Sequence, residues 1–189
     1  MEKERTLVVL KPDAVQRGIV GKIVSRFENI GLKIVGMKMI HCTKEFAEQH
    51  YPLDEEWAKE VYRKSKEKHD KIGKGLKFKG HMEMGKSIQE WNMDFLCESP
   101  VIAIVIQGPH AIEIVRKIVG NTEPLQSPPG TIRGDFASIE SYPLSDSKNR
   151  VMRNLIHASD SQKTAQREIA LWFSESELFD YQKELDKYF

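Results

Sequence analysis

The sequence lacks long hydrophobic runs. Its longest wholly apolar run has six residues, 101–106, whereas a membrane-spanning helix needs about 20. The first residues are charged and lead straight into a short apolar run, without the long apolar segment and cleavage site of a secretory signal. We therefore expect no membrane partner and a cytoplasmic location.

Cysteine is scarce and the net charge is close to zero. Cys42 and Cys97 form no C-x-x-C pattern, so we expect reduced thiols in a cytosol-like compartment rather than a zinc site. The 29 basic and 28 acidic side chains give a formal net charge of +1. Because proteins that mainly bind a nucleic-acid backbone are usually strongly basic, nucleic acid is not expected as the main partner.

The remaining composition is that of an ordinary globular protein. The chain has 189 residues, of which 40% are apolar and 30% are charged. That composition excludes a disordered chain, and a chain of this length buries roughly 70% of its unfolded surface. No internal repeat is visible. We predict a single domain over residues 1–189.

Hydrophobic patterning predicts strands alternating with helices. Strands are predicted at 6–10, 32–40, 101–107 and 137–141, and helices at about 19–30, 44–50 and 109–119. Residues 54–85 are expected to form a charged surface helix and then a glycine-rich loop. Helix N-termini are predicted at Ser159, with capping-box spacing to Gln162, and at Ser174. This order suggests an α/β or α+β domain around an antiparallel or mixed sheet.

A histidine precedes the predicted N-terminus at 159–162. The partial positive charge of a helix N-terminus favours a phosphate, and an imidazole with a pKa of about 6.5 is a nucleophile as well as a base. Glu168 on the following helix could bond one ring nitrogen of His157 and leave the other free to attack. The alternative is a surface histidine in a capping turn.

Cationic side chains stand at three further positions. Arg133 lies between Gly130 and Gly134, where the backbone can approach a ligand and a guanidinium can bind phosphate oxygens bidentately. Lys11 ends the first strand, and Arg116 borders the apolar stripe of its helix. The alternatives are a structural Arg–Asp pair in a tight turn for Arg133 and a solvated side chain for Lys11.

Residues 80–87 match the P-loop pattern G-x-x-x-x-G-K-[ST]. That pattern has meaning only between a buried strand and a helix. The preceding residues, 76–79, alternate with lysine and cannot form a buried central strand. We therefore do not interpret 80–87 as a phosphate-binding loop.

The motifs together resemble the nucleoside diphosphate kinase family. In the family's order they are TLVVLKPDAV at 6–15, HY at 50–51, GNTEP at 120–124, PGTIRGDF at 129–136, NLIHASDS at 154–161 and REI at 167–169. The resemblance covers roughly residues 5–51, 99–136 and 153–182.

The resemblance implies a ferredoxin-like αβ sandwich with a four-stranded antiparallel sheet and a ping-pong phosphoryl transfer. His157 would take the γ-phosphoryl group of a nucleoside triphosphate and pass it to a nucleoside diphosphate, while Ser159 and Glu168 support its ring. Magnesium would arrive bound to the nucleotide phosphates, and a homo-oligomer, tetramer or hexamer, is implied. The substrate-binding positions of the family fall on Lys11, Tyr51, Arg116, Thr122, Arg133 and Asn154.

The sequence departs from the family's usual pattern. The segments at about 54–90 and 138–152 are enlarged, and Ala158 stands where the family usually has glycine. The family's base-stacking phenylalanine has three candidates here, Trp91, Phe95 and Phe78. An alternative function is a nucleotide- or nucleic-acid-binding module, which the basic and aromatic run at 74–79 would favour.

Overall fold

The computed structural model describes residues 3–71, 73 and 75–184, without the side chains of 68, 69 and 71. Its strands are β1 (Glu4–Leu10), β2 (Lys33–Ile40), β3 (Val101–Gly108) and β4 (Ile156–Ala158). Its α-helices are α1 (Pro12–Gln16), α2 (Val20–Glu28), α3 (Lys44–His50), α4 (Glu55–Lys71), α5 (His81–Leu96), α6 (Ala111–Val119), α7 (Ile132–Phe136), α8 (Tyr142–Ser147) and α9 (Gln162–Trp172). None of the helices in these ranges has both the length and the apolar composition that a bilayer crossing requires.

The four strands form one antiparallel sheet in the order β2-β3-β1-β4. With helices between β1 and β2 and between β3 and β4, this is the β-α-β-β-α-β arrangement of the ferredoxin-like fold. The predicted fold class is confirmed. Three of the four predicted strands are also observed, because their apolar runs are long.

Both faces of the sheet are covered. Val8 and Leu10 of β1 pack with α2 and α6 in one core, and Leu7 and Val9 pack with α3, α5 and α9 in the other. Side chains of a strand alternate between faces, so a strand inside such a sandwich must be apolar throughout. This explains why every residue of β3 is buried.

The fourth strand is not the predicted one. Residues 137–141 form turns and loop, and Ile139 in their middle is 86% exposed, so this segment has no apolar face to place in a sheet. The strand is instead β4, which pairs with β1 through Val9 and His157. Its three residues are too few to show an alternating pattern. The polar residues 144–147 belong to α8, which Ser141 caps.

The glycine-rich loop predicted up to residue 85 is shorter than expected. Helix α5 begins at His81, and Gly85 lies inside it. A Cβ atom at Gly85 would come within 2.8 Å of Cβ of Ala58 in α4, so the glycine allows α4 and α5 to pack closely. Because residues 81–87 are helical, they do not form the loop that a P-loop requires.

The predicted capping box at Ser159 is wrong. Ser161 caps α9 by accepting a hydrogen bond from the Thr164 backbone N–H, two residues later than expected. Ser159 is fully buried and bonds the Glu168 side chain instead. The helix N-terminus predicted at Ser174 is present as a short 3-10 helix over Glu175–Glu177, with a capping box between Ser174 and Glu177.

Candidate active site

His157 points from β4 toward α9 and α3. It lies opposite Val9 in the β1–β4 pair, so its side chain is on the same face of the sheet as Val9. There its Nε2 lies 2.8 Å from Oε2 of Glu168, and the Ser159 hydroxyl donates to the same oxygen at 2.7 Å. Arg167 donates to the other carboxylate oxygen at 3.2 Å. The sequence paired His157 with Glu168 and Ser159, and the structure brings all three together.

This pairing decides which ring nitrogen of His157 can react. A carboxylate only accepts hydrogen bonds, so the imidazole hydrogen sits on Nε2 and the lone pair on Nδ1. The His157 side chain is 23% exposed, whereas that of Glu168 is 3% exposed. The structure therefore presents an oriented imidazole whose Nδ1 lone pair is not engaged by Glu168.

Lys11, Asn154 and Thr122 form a connected group beside His157. The Lys11 Nζ donates to Oδ1 of Asn154 at 2.9 Å, and Nδ2 of Asn154 donates to the Thr122 carbonyl at 2.9 Å. Lys11 is 7% exposed. Burial, and then the charge of Arg133, lower the pKa of Lys11 from 10.5 to about 8. Lys11 is thus a buried group, not the solvated lysine of the alternative interpretation.

Arg133 is buried and holds backbone carbonyls from two segments. Its guanidinium donates to the carbonyls of Asn154 and Ile156 at 3.1 and 2.6 Å, and to those of Gly120 and Asn121 at 3.2 and 3.0 Å. The alternative of a local Arg–Asp pair is wrong, because Asp135 pairs with Arg26 instead.

Arg116 and Tyr51 complete the predicted set. Burial, and then the charge of Arg116, lower the pKa of Arg133 to about 10, which places the two arginines near each other. Tyr51 caps the end of α3, and its ring centroid lies 6.4 Å from that of His157. Burial, and then the Glu168 charge, raise the pKa of Tyr51. Cationic side chains from three segments, Lys11, Arg116 and Arg133, therefore lie close enough to affect one another's pKa values, which suits a phosphate ligand.

Sequence reasoning missed Asp13. Its Oδ2 accepts from the backbone N–H of Leu155, and Lys11 N donates to the Leu155 carbonyl. Leu155 has a φ of 68°, which is unusual for a bulky residue, and this turn directs Asn154 and His157 into the site. The motif KPD at 11–13 was the signal that could have identified Asp13.

His50 and Trp172 were missed as well. The His50 ring is buried against that of His157, with centroids 4.7 Å apart. The Trp172 indole donates to Nδ1 of His50 at 3.1 Å. His50 stood in the quoted HY motif, but its position behind the nucleophile depends on how α3 packs on α9.

The candidates for base stacking lie in different surroundings. Phe95 is buried, with Arg153 and Lys11 at 4.1 and 5.6 Å from its ring centroid. Phe78 and Trp91 are half-buried and 6.3 Å apart. The lysine run at 74–79 lies partly outside the described residues, and its Lys77 donates to Asn149 at 2.8 Å.

Ala158, at the position where the family usually has glycine, ends β4 and packs on the core. It is not among the described residues with a positive φ. Its methyl group is thus accommodated in ordinary strand backbone.

A resident Mg²⁺ ion does not fit this site. In the described part of the chain, one group of three potential ligands occurs, His50, His157 and Glu168. Mg²⁺ prefers oxygen ligands, and two of these three groups are imidazoles. Nδ1 of His50 and Nε2 of His157 are also already bonded, to Trp172 and Glu168.

Comparison with known proteins agrees with the geometry. The family model described as nucleoside diphosphate kinase matches residues 4–71 and 78–178. A curated nucleoside diphosphate kinase of Pyrobaculum aerophilum is 44% identical over 184 residues, which cover 95% of this chain and 100% of that protein.

Solved structures are similar over nearly the whole chain. An NDP kinase from Pyrobaculum aerophilum has a TM-score of 0.90 at 42% identity, covering 95% of this chain and 100% of that one. A nucleoside-diphosphate kinase from Borrelia burgdorferi, a transition state mimic with bound vanadate and ADP, has a TM-score of 0.80 at 35% identity and covers 97% and 95%. On the family match and these identities, the chain belongs to the nucleoside diphosphate kinase family.

Proposed function

We propose that the chain transfers the γ-phosphoryl group of a nucleoside triphosphate to a nucleoside diphosphate through a phosphohistidine at His157. Nδ1 attacks the γ-phosphorus, an N–P bond forms, and the bond to the β,γ-bridging oxygen breaks to release the diphosphate. A second nucleoside diphosphate then attacks the phosphohistidine with its terminal oxygen and restores the imidazole. The observation that carries this proposal is the oriented His157, with Nε2 on Glu168 and Nδ1 free.

The neighbouring groups supply position and positive charge. Phosphoryl transfer needs both, because charge is spread over the equatorial oxygens in the transition state. Lys11, Arg116 and Arg133 would balance that charge, and the other proposed phosphate-binding residues are Tyr51, Thr122 and Asn154. Glu168 and Ser159 would hold the ring of His157 without touching substrate.

Magnesium is part of the substrate in this proposal. Relatives in this family are phosphotransferases that use nucleotides with a divalent metal, and the ligand set around His157 does not suit Mg²⁺. The nucleotide phosphates would provide its oxygen ligands, and the protein cations would bind the phosphate oxygens that remain.

The test is phosphorylation by γ-labelled ATP alone. We expect an acid-labile, alkali-stable label that His157→Ala abolishes, together with transfer from GTP to dTDP. His41→Ala is the matched control, because His41 is exposed and bonds the Cys97 carbonyl away from the site. Label retained in His157→Ala, or lost in His41→Ala, would place the nucleophile elsewhere.

We also propose that the chain forms a homo-oligomer, a tetramer or hexamer. The support is the edge strand β2, whose Met37 and Met39 are 47% and 59% exposed. Edge strands that expose apolar side chains are sites of association. Light scattering on the purified protein measures the number of subunits directly.

A reducing, cytosolic compartment and a single domain over residues 1–189 remain proposals. Both cysteines are free, and burial raises the pKa of the Cys42 thiol to about 12, which keeps it unreactive. The enlarged segments at 54–90 and 138–152 contact each other through Lys77 and Asn149, which supports one domain.

A further inference from the structure

His50 is a buried imidazole that the proposed reaction does not use. It ends α3 and is 2% exposed. Its ring centroid lies 4.7 Å from that of His157 and 5.3 Å from that of Trp172. The two imidazoles are nearly perpendicular, at 83°, so the edge of one ring meets the face of the other. His50 therefore limits the space in which the His157 ring can turn.

Trp172 decides which nitrogen of His50 carries the hydrogen. An indole N–H only donates, so Nδ1 of His50, at 3.1 Å, must be an acceptor. The hydrogen of a neutral ring is then on Nε2. This buried N–H has no acceptor in the described part of the chain. Unpaired buried donors are rare in native proteins and call for a reason.

The surroundings of His50 also keep it uncharged. Burial lowers its pKa well below the usual 6.5, and the charges of His157, Arg167 and Lys11 act in the same direction. Among the described residues, the acidic group that lies close to both imidazoles is Glu168. A neutral ring can stay packed against His157 throughout the pH range in which the enzyme would work.

The hydrogen bond to Glu168 fixes one atom of the His157 ring but not its plane. Rotation of an imidazole about its Cβ–Cγ bond has broad energy minima, so a second contact is needed to set the ring plane. We propose that His50, held in one tautomer by the Trp172 indole, is a positioning residue that sets the ring plane of His157. This inference rests on the proposed role of His157 as the phosphoryl acceptor.

The first test is ¹⁵N NMR of the unsubstituted protein. We expect His50 to show a neutral ring with the hydrogen on Nε2, unchanged between pH 6 and 8. A hydrogen on Nδ1, or protonation within that range, would overturn the proposal. This measurement needs no variant and does not depend on turnover.

The second test compares His50→Gln with His50→Phe in single-turnover phosphorylation by ATP. Glutamine can accept from Trp172 but has no ring, whereas phenylalanine keeps a ring against His157. We expect about tenfold slower phosphorylation in His50→Gln with KM within twofold, and recovery of most of the rate in His50→Phe.

Three results would contradict this expectation. Rates equal to that of the unsubstituted protein in both variants, or a loss carried by KM alone, would make His50 purely structural. Equal losses in both variants would also exclude a role for the ring. Absence of label on the unsubstituted protein would instead overturn the proposed function, and the NMR result would then stand alone.

Discussion

The site region and the α4 helix are held together in different ways. In the site region, hydrogen bonds join residues that are far apart in the chain, as Lys11 and Asn154 are, 143 positions from each other. In α4 the ion pairs are local and exposed. Arg63 pairs with Glu60 three positions before it and with Glu67 four positions after it.

This difference separates interactions that stabilise the fold from exposed interactions that contribute little to its stability. Exposed ion pairs one turn apart support a helix only weakly and are screened by salt. Buried hydrogen bonds between distant segments exist only in the folded chain, and removing one partner leaves the other unpaired in a dry environment. We therefore expect substitutions in the site to change both stability and turnover, and substitutions in α4 to change neither.

Arg133→Lys is the strongest test of this difference. Lysine cannot make the four bonds of the guanidinium to the carbonyls of residues 120, 121, 154 and 156. We expect kcat to fall at least about 100-fold and the free energy of unfolding to fall by about 2–4 kcal/mol. Steady-state kinetics and urea denaturation measure the two effects.

Arg63→Lys is the matched control in α4, because it makes the same change at an exposed helix position. We expect unchanged turnover and a melting temperature within about 2 °C. If Arg133→Lys lost turnover with no loss of stability, the bonds to the carbonyls would not matter for folding. If Arg63→Lys lost either one, the comparison between the two regions would fail.

Glu168→Gln should have the second-largest effect. Oε2 of Glu168 accepts from both His157 and Ser159, and Oε1 accepts from Arg167. The glutamine amide has one oxygen and one NH2 group. Its NH2 group would therefore face a donor at one of the two positions where Glu168 now accepts a hydrogen bond. We expect kcat to fall about 10- to 100-fold with little change in KM, measured with the γ-labelling assay.

Glu60→Gln is the control for this change, since Glu60 binds Arg63 and Lys64 on the exposed face of α4. Its turnover should equal that of the unsubstituted protein. A KM effect in Glu168→Gln that exceeded the kcat effect would show that the carboxylate acts on substrate binding rather than on the His157 ring.

The site was predictable where the chemistry lies within short motifs. His157, Glu168, Lys11 and Arg133 were found because each stands in a recognisable local sequence. Asp13 and His50 also stand in local motifs, KPD at 11–13 and HY at 50–51, but they and Trp172 act through partners more than 100 positions away, so their roles depend on how distant segments pack.

Prediction of the fold from local sequence has the same limit. The long apolar strands β1 and β3 were predicted, whereas the three-residue β4 was replaced by a false strand at 137–141. The helix α5 was missed because Gly85 was interpreted as part of a loop. Gly85 is there for close contact with Ala58, which is a property of the packed pair of helices and not of the segment.

The pH dependence should separate a buried cation from an exposed one. Burial and then the charge of Arg133 lower the pKa of Lys11 to about 8, with Arg153 acting in the same direction and Asp13 in the opposite one, whereas Glu55 raises the pKa of the exposed Lys59 in α4. In the proposed reaction the charged form of Lys11 binds phosphate, so we expect kcat/KM for ATP to fall about fivefold between pH 8 and 9.

Stability should move the other way. The pKa of Lys11 is 10.5 in the unfolded chain and about 8 in the folded protein. Between these two pH values the unfolded chain binds more protons than the folded protein, so the free energy of unfolding rises with pH. Lys11→Arg, which keeps its charge, should lose the alkaline fall in kcat/KM. The same fall in Lys11→Arg as in the unsubstituted protein would assign it to another group.

Gly85→Val should have the smallest effect on turnover and shows whether the α4–α5 packing belongs to the site. A Cβ at Gly85 meets Cβ of Ala58 at 2.8 Å and a Leu53 methyl group at 3.3 Å, so a branched side chain must push α4 away from α5. We expect a loss of about 1–3 kcal/mol in unfolding free energy and kcat within twofold. Gly75→Val is the control, since a Cβ there meets nothing within 4 Å. A loss of turnover in Gly85→Val as large as that in Glu168→Gln would mean that the position of α5 sets the geometry around His157 through α3. The α4–α5 pair and the site would then not be independent regions.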